Sequence, residues 1–136
     1  MLGFSCQVLG FLKMIDVKSY RDLKVWQKSM DLVVGCYQLT SKLPKTEIYG
    51  LSSQIQRAAI SIPANIAEGK GRNYLGDYIR HLSIANGSLK ELETHLLIVG
   101  RLAYLKEEEL ETVLNKCDEI GRMLHSLNEK LSQRKK

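Results

Sequence analysis

Leu75, Leu82, Leu89, Leu96 and Ala103 recur every seven residues, and Tyr78, Ala85, Leu92 and Val99 form a second row three positions on. Two apolar rows at this spacing make an a/d seam, so the pattern predicts one helix from about Asn73 to Leu102 that needs apolar partners along its whole length. The last segment repeats the device, with Leu110, Cys117, Leu124 and Leu131 in one row and Val113, Ile120 and Leu127 in the other. Two seams of this length cannot be left in water.

Earlier segments supply the partners. Trp26, Met30, Val33, Tyr37 and Thr40 step by threes and fours along a helix predicted from Asp22 to Lys42. Ile48, Leu51, Ile55, Ala58, Ile62 and Ile66 do the same from Glu47 to Ala67. Side chains at this spacing stack on one helical face. The expected connections are short: Pro44 stops the first helix and Thr46 caps the second, Gly69 and Gly71 adopt the left-handed conformation, Asn73 caps the third, and Glu107, Glu108 and Glu109 suit the positive end of the fourth. Short loops between long helices make sequential helices antiparallel neighbours, so the expected fold is all-α, an up-down-up-down four-helix bundle over residues 19–133. Two runs are wider than one seam, Leu32–Tyr37 and Leu96–Gly100. They lie either deep in the bundle or at a subunit interface.

Pro63 falls inside the second helix. It has no N–H for the carbonyl of Ala59 and its ring crowds that turn, so a kink is expected there, with Asn65 or water serving the freed carbonyl. Residues 1–18 are read as a flexible or mis-assigned extension. "MLGFSCQVLGF" is shorter than a membrane span of about 20 residues and lacks a basic start, which leaves residues 1–13 outside the fold and Met14 as a candidate start.

Function is harder to reach. Cys6, Cys36 and Cys117 are far apart and odd in number, so neither a disulfide framework nor a zinc site is indicated, and a reducing cytoplasm is the expected setting. No Glu-x-x-His of the di-iron bundles occurs; Glu91 and His95 stand four apart, while His81 and His125 have no partner visible in the sequence. No nucleophile motif or phosphate-binding loop is complete. The expectation is no enzyme, no cofactor and no metal.

Charge is more informative. Residues 20–101 hold eleven Lys and Arg against seven Asp and Glu, residues 102–133 hold four against seven, and Arg134, Lys135 and Lys136 form a basic tail. This pattern suits nucleic acid and equally a solvated surface. "EGKGR", Glu68 to Arg72, either offers backbone N–H groups with Lys70 and Arg72 to an anion or is a solvated basic loop. Arg57, beside the apolar stripe of the second helix, either reaches solvent or pairs with Glu91 or Glu93, within one chain or across an interface.

The stretches "YRDLKVWQKSMDLV", "YGLSSQIQRAAISIPANIAEGKGR", "YIRHLSIANGSLKELETHL" and "LAYL" together resemble, in order and spacing, the four-helix bundle proteins encoded in intervening sequences of bacterial 23S rRNA genes, and more distantly the accessory proteins of diversity-generating retroelements. The matching signature positions are Arg57, Pro63, Asn65, Glu68, Gly69, Arg72, Glu91 and Glu93. Lys106 departs from the common capping Ser. The resemblance implies a homopentamer with a central channel, contacts with nucleic acid or ribonucleoprotein, and no catalysis. Joined to the charge pattern, it leads to a non-enzymatic oligomer that binds RNA or DNA through Lys24, Lys28, Arg57, Lys70, Arg72, Arg80, Arg134, Lys135 and Lys136. The alternative is an interaction scaffold or accessory subunit for a reverse transcriptase or other mobile-element protein.

Overall fold

The structure, a computed structural model, describes residues 19–135. The extension over 1–18, the candidate start at Met14 and Lys136 lie outside the described residues. Four helices account for the fold: α1 (Lys24–Thr40), α2 (Leu51–Lys70), α3 (Leu75–Arg101) and α4 (Glu107–Lys135), with short 3-10 turns at Tyr20–Asp22 and Lys45–Glu47. Each helix packs on its sequence neighbours, and α1 closes the bundle against α4. The up-down-up-down expectation holds.

The long seams are buried as the heptads require. Leu82, Ala85, Leu89, Leu92, Leu96 and Val99 of α3 and Val113, Cys117, Ile120, Leu124 and Leu131 of α4 enter one core with Ile55, Ala58, Ile62 and Ile66 of α2. Each large aliphatic side chain there contributes about 1.5–3 kcal/mol relative to exposure, most of it offset by conformational entropy.

The α1 stripe is rotated from the expected one. Val25, Ser29, Leu32, Cys36, Leu39 and Thr40 are its buried residues, whereas Met30 and Tyr37 of the expected row are 42% and 45% exposed. Small Ser29 and Cys36 occupy core positions, and the Ser29 hydroxyl satisfies itself by donating to the Val25 carbonyl at 2.6 Å. Leu32 is therefore a core residue, but Val34 points outward at 56% exposure. At the entry to α1, Tyr20 meets Trp26 edge to face at 5.2 Å.

Three of the expected caps are replaced. The residue before α2 is Gly50, and Glu47, not Thr46, serves the helix start: its Oε1 accepts from the Leu51 N–H at 3.2 Å. The other carboxylate oxygen accepts from the Tyr104 hydroxyl at 2.9 Å, tying the α1–α2 loop to the α3–α4 loop. Tyr74, not Asn73, precedes α3 and makes no side-chain cap. Among the described residues no glycine has positive φ; Gly69 lies within α2, and Gly71 ends it at φ −80°. The left-handed residue is Ala103, at φ 58°. It ends α3 rather than extending its seam: Tyr104 N–H donates to the Val99 carbonyl and Ala103 N–H to the Gly100 carbonyl, a Schellman turn in which glycine is the usual occupant.

α2 continues through Pro63, which is buried within it. The Asn65 amide does hold a backbone carbonyl in this stretch, but it is that of Ser61, at 2.8 Å, and not that of Ala59. No helix among the described residues is long and apolar enough to cross a membrane.

Candidate nucleic-acid interface

The antiparallel order brings the start of α1, the end of α2, the start of α3 and the end of α4 to the same end of the bundle. Most of the basic candidates gather there by topology alone. Arg72 lies in the α2–α3 connection, Lys70 ends α2, Arg80 lies in the second turn of α3, Lys24 opens α1 and Arg134 lies in the last turn of α4. All but the half-buried Lys70 are exposed.

The polar centre of this end is His81, which is 4% exposed. It can sit there because Gly69 faces it: a Cβ at Gly69 would lie 2.7 Å from the His81 Cβ and 3.3 Å from the Tyr78 carbonyl. The two helices therefore approach closely only while this position stays bare. His81 Nδ1 lies 3.1 Å from Asn65 Oδ1, and its Nε2 lies 3.4 Å from a Glu68 carboxylate oxygen and 3.4 Å from an Arg80 guanidinium nitrogen. The same Glu68 oxygen is 3.7 Å from Arg72. Asn65, Glu68 and Gly69 fall at spacings of three and four, so one face of α2 delivers all three to α3.

Around this node, the Lys70 ammonium stands 5.9 Å from the centre of the Tyr78 ring, a cation–π contact. Burial pushes the Tyr78 phenol above its ordinary range, and Arg134 opposes that rise, which places the end of α4 within electrostatic reach of the start of α3. Lys135 continues α4, and its side chain, with all of Lys136, lies outside the described residues.

Other candidates are dispersed. Lys28 lies partway along α1 and pairs with Glu119 of α4 at 3.6 Å. Arg57 is exposed and makes no ion pair with a described residue within the chain; it shares a polar groove between α2 and α3 with Gln54, Ser61, Ser88 and Glu91. Its two expected partners are engaged elsewhere, Glu91 with His95 at 3.3 Å and Glu93 with Lys90 at 3.1 Å. The intrachain Arg57–Glu pair is thus not formed. Glu91 and Glu93 belong to the middle of α3 and not to the basic end. Among the described residues no three His, Cys, Asp or Glu side chains cluster as metal ligands would.

Sequence spacing shows no partner for His81, and the structure gives it three, Asn65, Glu68 and Arg80. Arg80 precedes it on α3, but Asn65 and Glu68 lie sixteen and thirteen positions back on α2, so only the register of α2 against α3 reveals those two. The available signal was the Asn65, Glu68, Gly69 spacing.

A family model described as 23S rRNA-intervening sequence protein matches residues 21–126. The chain belongs to this family. A solved structure agrees: a protein of unknown function from the S23 ribosomal protein family of Bacteroides thetaiotaomicron is 31% identical, with a TM-score of 0.72 over 76% of this chain and 97% of that one. No functionally curated protein matches. The match places the basic end, the His81 node and most of α4 inside the family domain, while the tail from Arg134 lies beyond it.

Proposed function

We propose that this 23S rRNA-intervening sequence family member is a non-enzymatic oligomer that binds nucleic acid, RNA foremost, through the basic end of its bundle. The observation that carries the reading is the convergence of Lys70, Arg72 and Arg80 around the His81 node, with Lys24 and the Arg134 tail at the same end. Guanidinium groups suit phosphate oxygens because their donors are paired and planar. Arg57 and Lys28 serve at most as peripheral contacts, since one lines a mixed groove and the other is paired with Glu119.

The outer faces support the assembly part of this reading. Met30, Val34 and Tyr37 form an exposed row on α1, and Leu97 and Ile98 are exposed on α3. Apolar side chains at such positions favour subunit contacts. The homopentamer implied by the family resemblance would repeat the basic end five times, multiplying a modest charge excess. The same apolar rows favour the second reading, an accessory subunit whose partner is a reverse transcriptase or another mobile-element protein.

Salt separates the two. If three phosphates are neutralised, affinity for a structured RNA falls on the order of 30- to 100-fold between 50 and 300 mM salt. Affinity unchanged over that range overturns the nucleic-acid reading.

A further inference from the structure

The His81 node holds Arg80 at the ring and Arg72 through Glu68, and its hydrogen bonds define the ring's protonation. Asn65 Nδ2 donates to the Ser61 carbonyl at 2.8 Å and lies 3.0 Å from the Ser61 hydroxyl, which turns Asn65 Oδ1 toward His81. An amide oxygen only accepts, so His81 Nδ1, 3.1 Å away, carries the hydrogen. In the neutral ring Nε2 is then bare and accepts from the Arg80 guanidinium at 3.4 Å. A bare nitrogen cannot bond a carboxylate, so Glu68 is left to Arg72.

One proton reverses these pairings. Protonated Nε2 attracts the Glu68 oxygen 3.4 Å away as an ion-pair partner, and it can no longer accept from Arg80, whose positive charge it now repels. Glu68 is drawn from Arg72 toward the ring. The other charged groups at this end include Lys24 on α1, Lys70 on α2, Asp77 on α3 and Arg134 on α4; none of them bonds the ring, whose polar partners among the described residues are Asn65, Glu68 and Arg80. Histidine is the side chain that ordinarily changes charge between pH 5 and 8.

We propose that His81 is a proton-sensitive positioning residue: neutral, it restrains Arg80 and leaves Glu68 on Arg72; protonated, it captures Glu68 and releases both guanidinium groups to phosphate. This rests on the nucleic-acid reading above and adds its regulation. Binding strengthens as pH falls, because the charged ring is the form that frees the arginines.

The test measures binding of the full chain to a fluorescein-labelled RNA hairpin by anisotropy, at constant ionic strength, at pH 7.5 and pH 5.5. Affinity is expected to rise roughly three- to tenfold on acidification, the worth of freeing two exposed ionic groups. His81→Gln should remove that gain, while His95→Gln and His125→Gln should keep it. Because a change at buried His81 can disturb the fold, Glu68→Gln, at an exposed position, gives an independent reading: it should bind more tightly than wild type at pH 7.5 and gain less on acidification. Nitrogen-15 spectra of the histidine rings at pH 7.5 should show His81 protonated at Nδ1 and bare at Nε2. A proton on Nε2 at that pH, or superimposable pH profiles for wild type and Glu68→Gln, overturns the inference. Salt-dependent binding without a pH gain overturns the gating alone, and salt-independent binding overturns gating and nucleic-acid reading together.

Discussion

The two ends of the bundle are built from the same helices, yet they are held together differently. At the end where α2 meets α3, a bare glycine, a buried histidine and arginines crowd one node. At the opposite end Glu47 and Tyr104 link the loops, Lys42 pairs with Glu109, and Glu107, Glu108 and Glu111 leave the surface acidic. The first end is basic and gathers its polar contacts on one buried ring; the second holds more Glu than Lys and Arg and spreads its polar contacts between loops.

Glycine substitution should expose the contrast most strongly. At Gly69 a new methyl meets the His81 Cβ at 2.7 Å and the Tyr78 carbonyl at 3.3 Å, neither able to swing away. Gly69→Ala is expected to cost about 2 kcal/mol in urea unfolding. At Gly50 the methyl meets the Glu47 Oε1 at 2.7 Å, a side-chain tip that can shift by weakening its bond from the Leu51 N–H. Gly50→Ala should cost under about 1 kcal/mol. Equal losses would erase the distinction.

A smaller effect lies at the end of α3. Ala103 occupies the left-handed region at φ 58°, where its Cβ is unfavourable by about 1 kcal/mol. Ala103→Gly should raise stability by nearly that amount. Asn73→Gly, in the opposite loop, has no such strain to relieve and should lower stability by a few tenths of a kcal/mol. Thermal melts of both variants decide the matter.

The smallest effect is seen in the two tyrosines. Tyr78 is pushed up by burial, whereas Tyr104 is pushed up chiefly by its hydrogen bond to Glu47. In ultraviolet titration Glu47→Gln should bring Tyr104 back toward its ordinary range and leave Tyr78 in place. A raised phenol contributes stability at neutral pH and loses it as pH climbs through the folded value, so the Glu47–Tyr104 tie should weaken only in alkali.

The sequence showed the bundle plainly, and the reasons are physical. Heptad rows in α3 and α4 run unbroken for four turns or more, and packing against other helices is what buries such rows. The α1 stripe was misphased because Trp26, Met30 and Tyr37 are large and flank the core, while Ser29 and Cys36 are small and occupy it. Caps were misplaced because Glu47 is recruited by Leu51 and Tyr104, a loop-to-loop contact that local pattern does not contain. Lys70 and Arg72 were legible in "EGKGR", and Arg80 and Arg134 join them once helix order is known. His81 was not legible, since its role depends on interhelical register.

The most direct measurement compares salt slopes for RNA binding after charge removal at each end. Arg72→Ala/Arg80→Ala should weaken binding about tenfold or more at 50 mM salt and reduce the slope of log affinity against log salt by about two. Lys42→Ala/Lys45→Ala, at the acidic end, should change neither by more than about twofold. If both pairs lower affinity and slope equally, binding is a property of net charge and the basic end is not an interface.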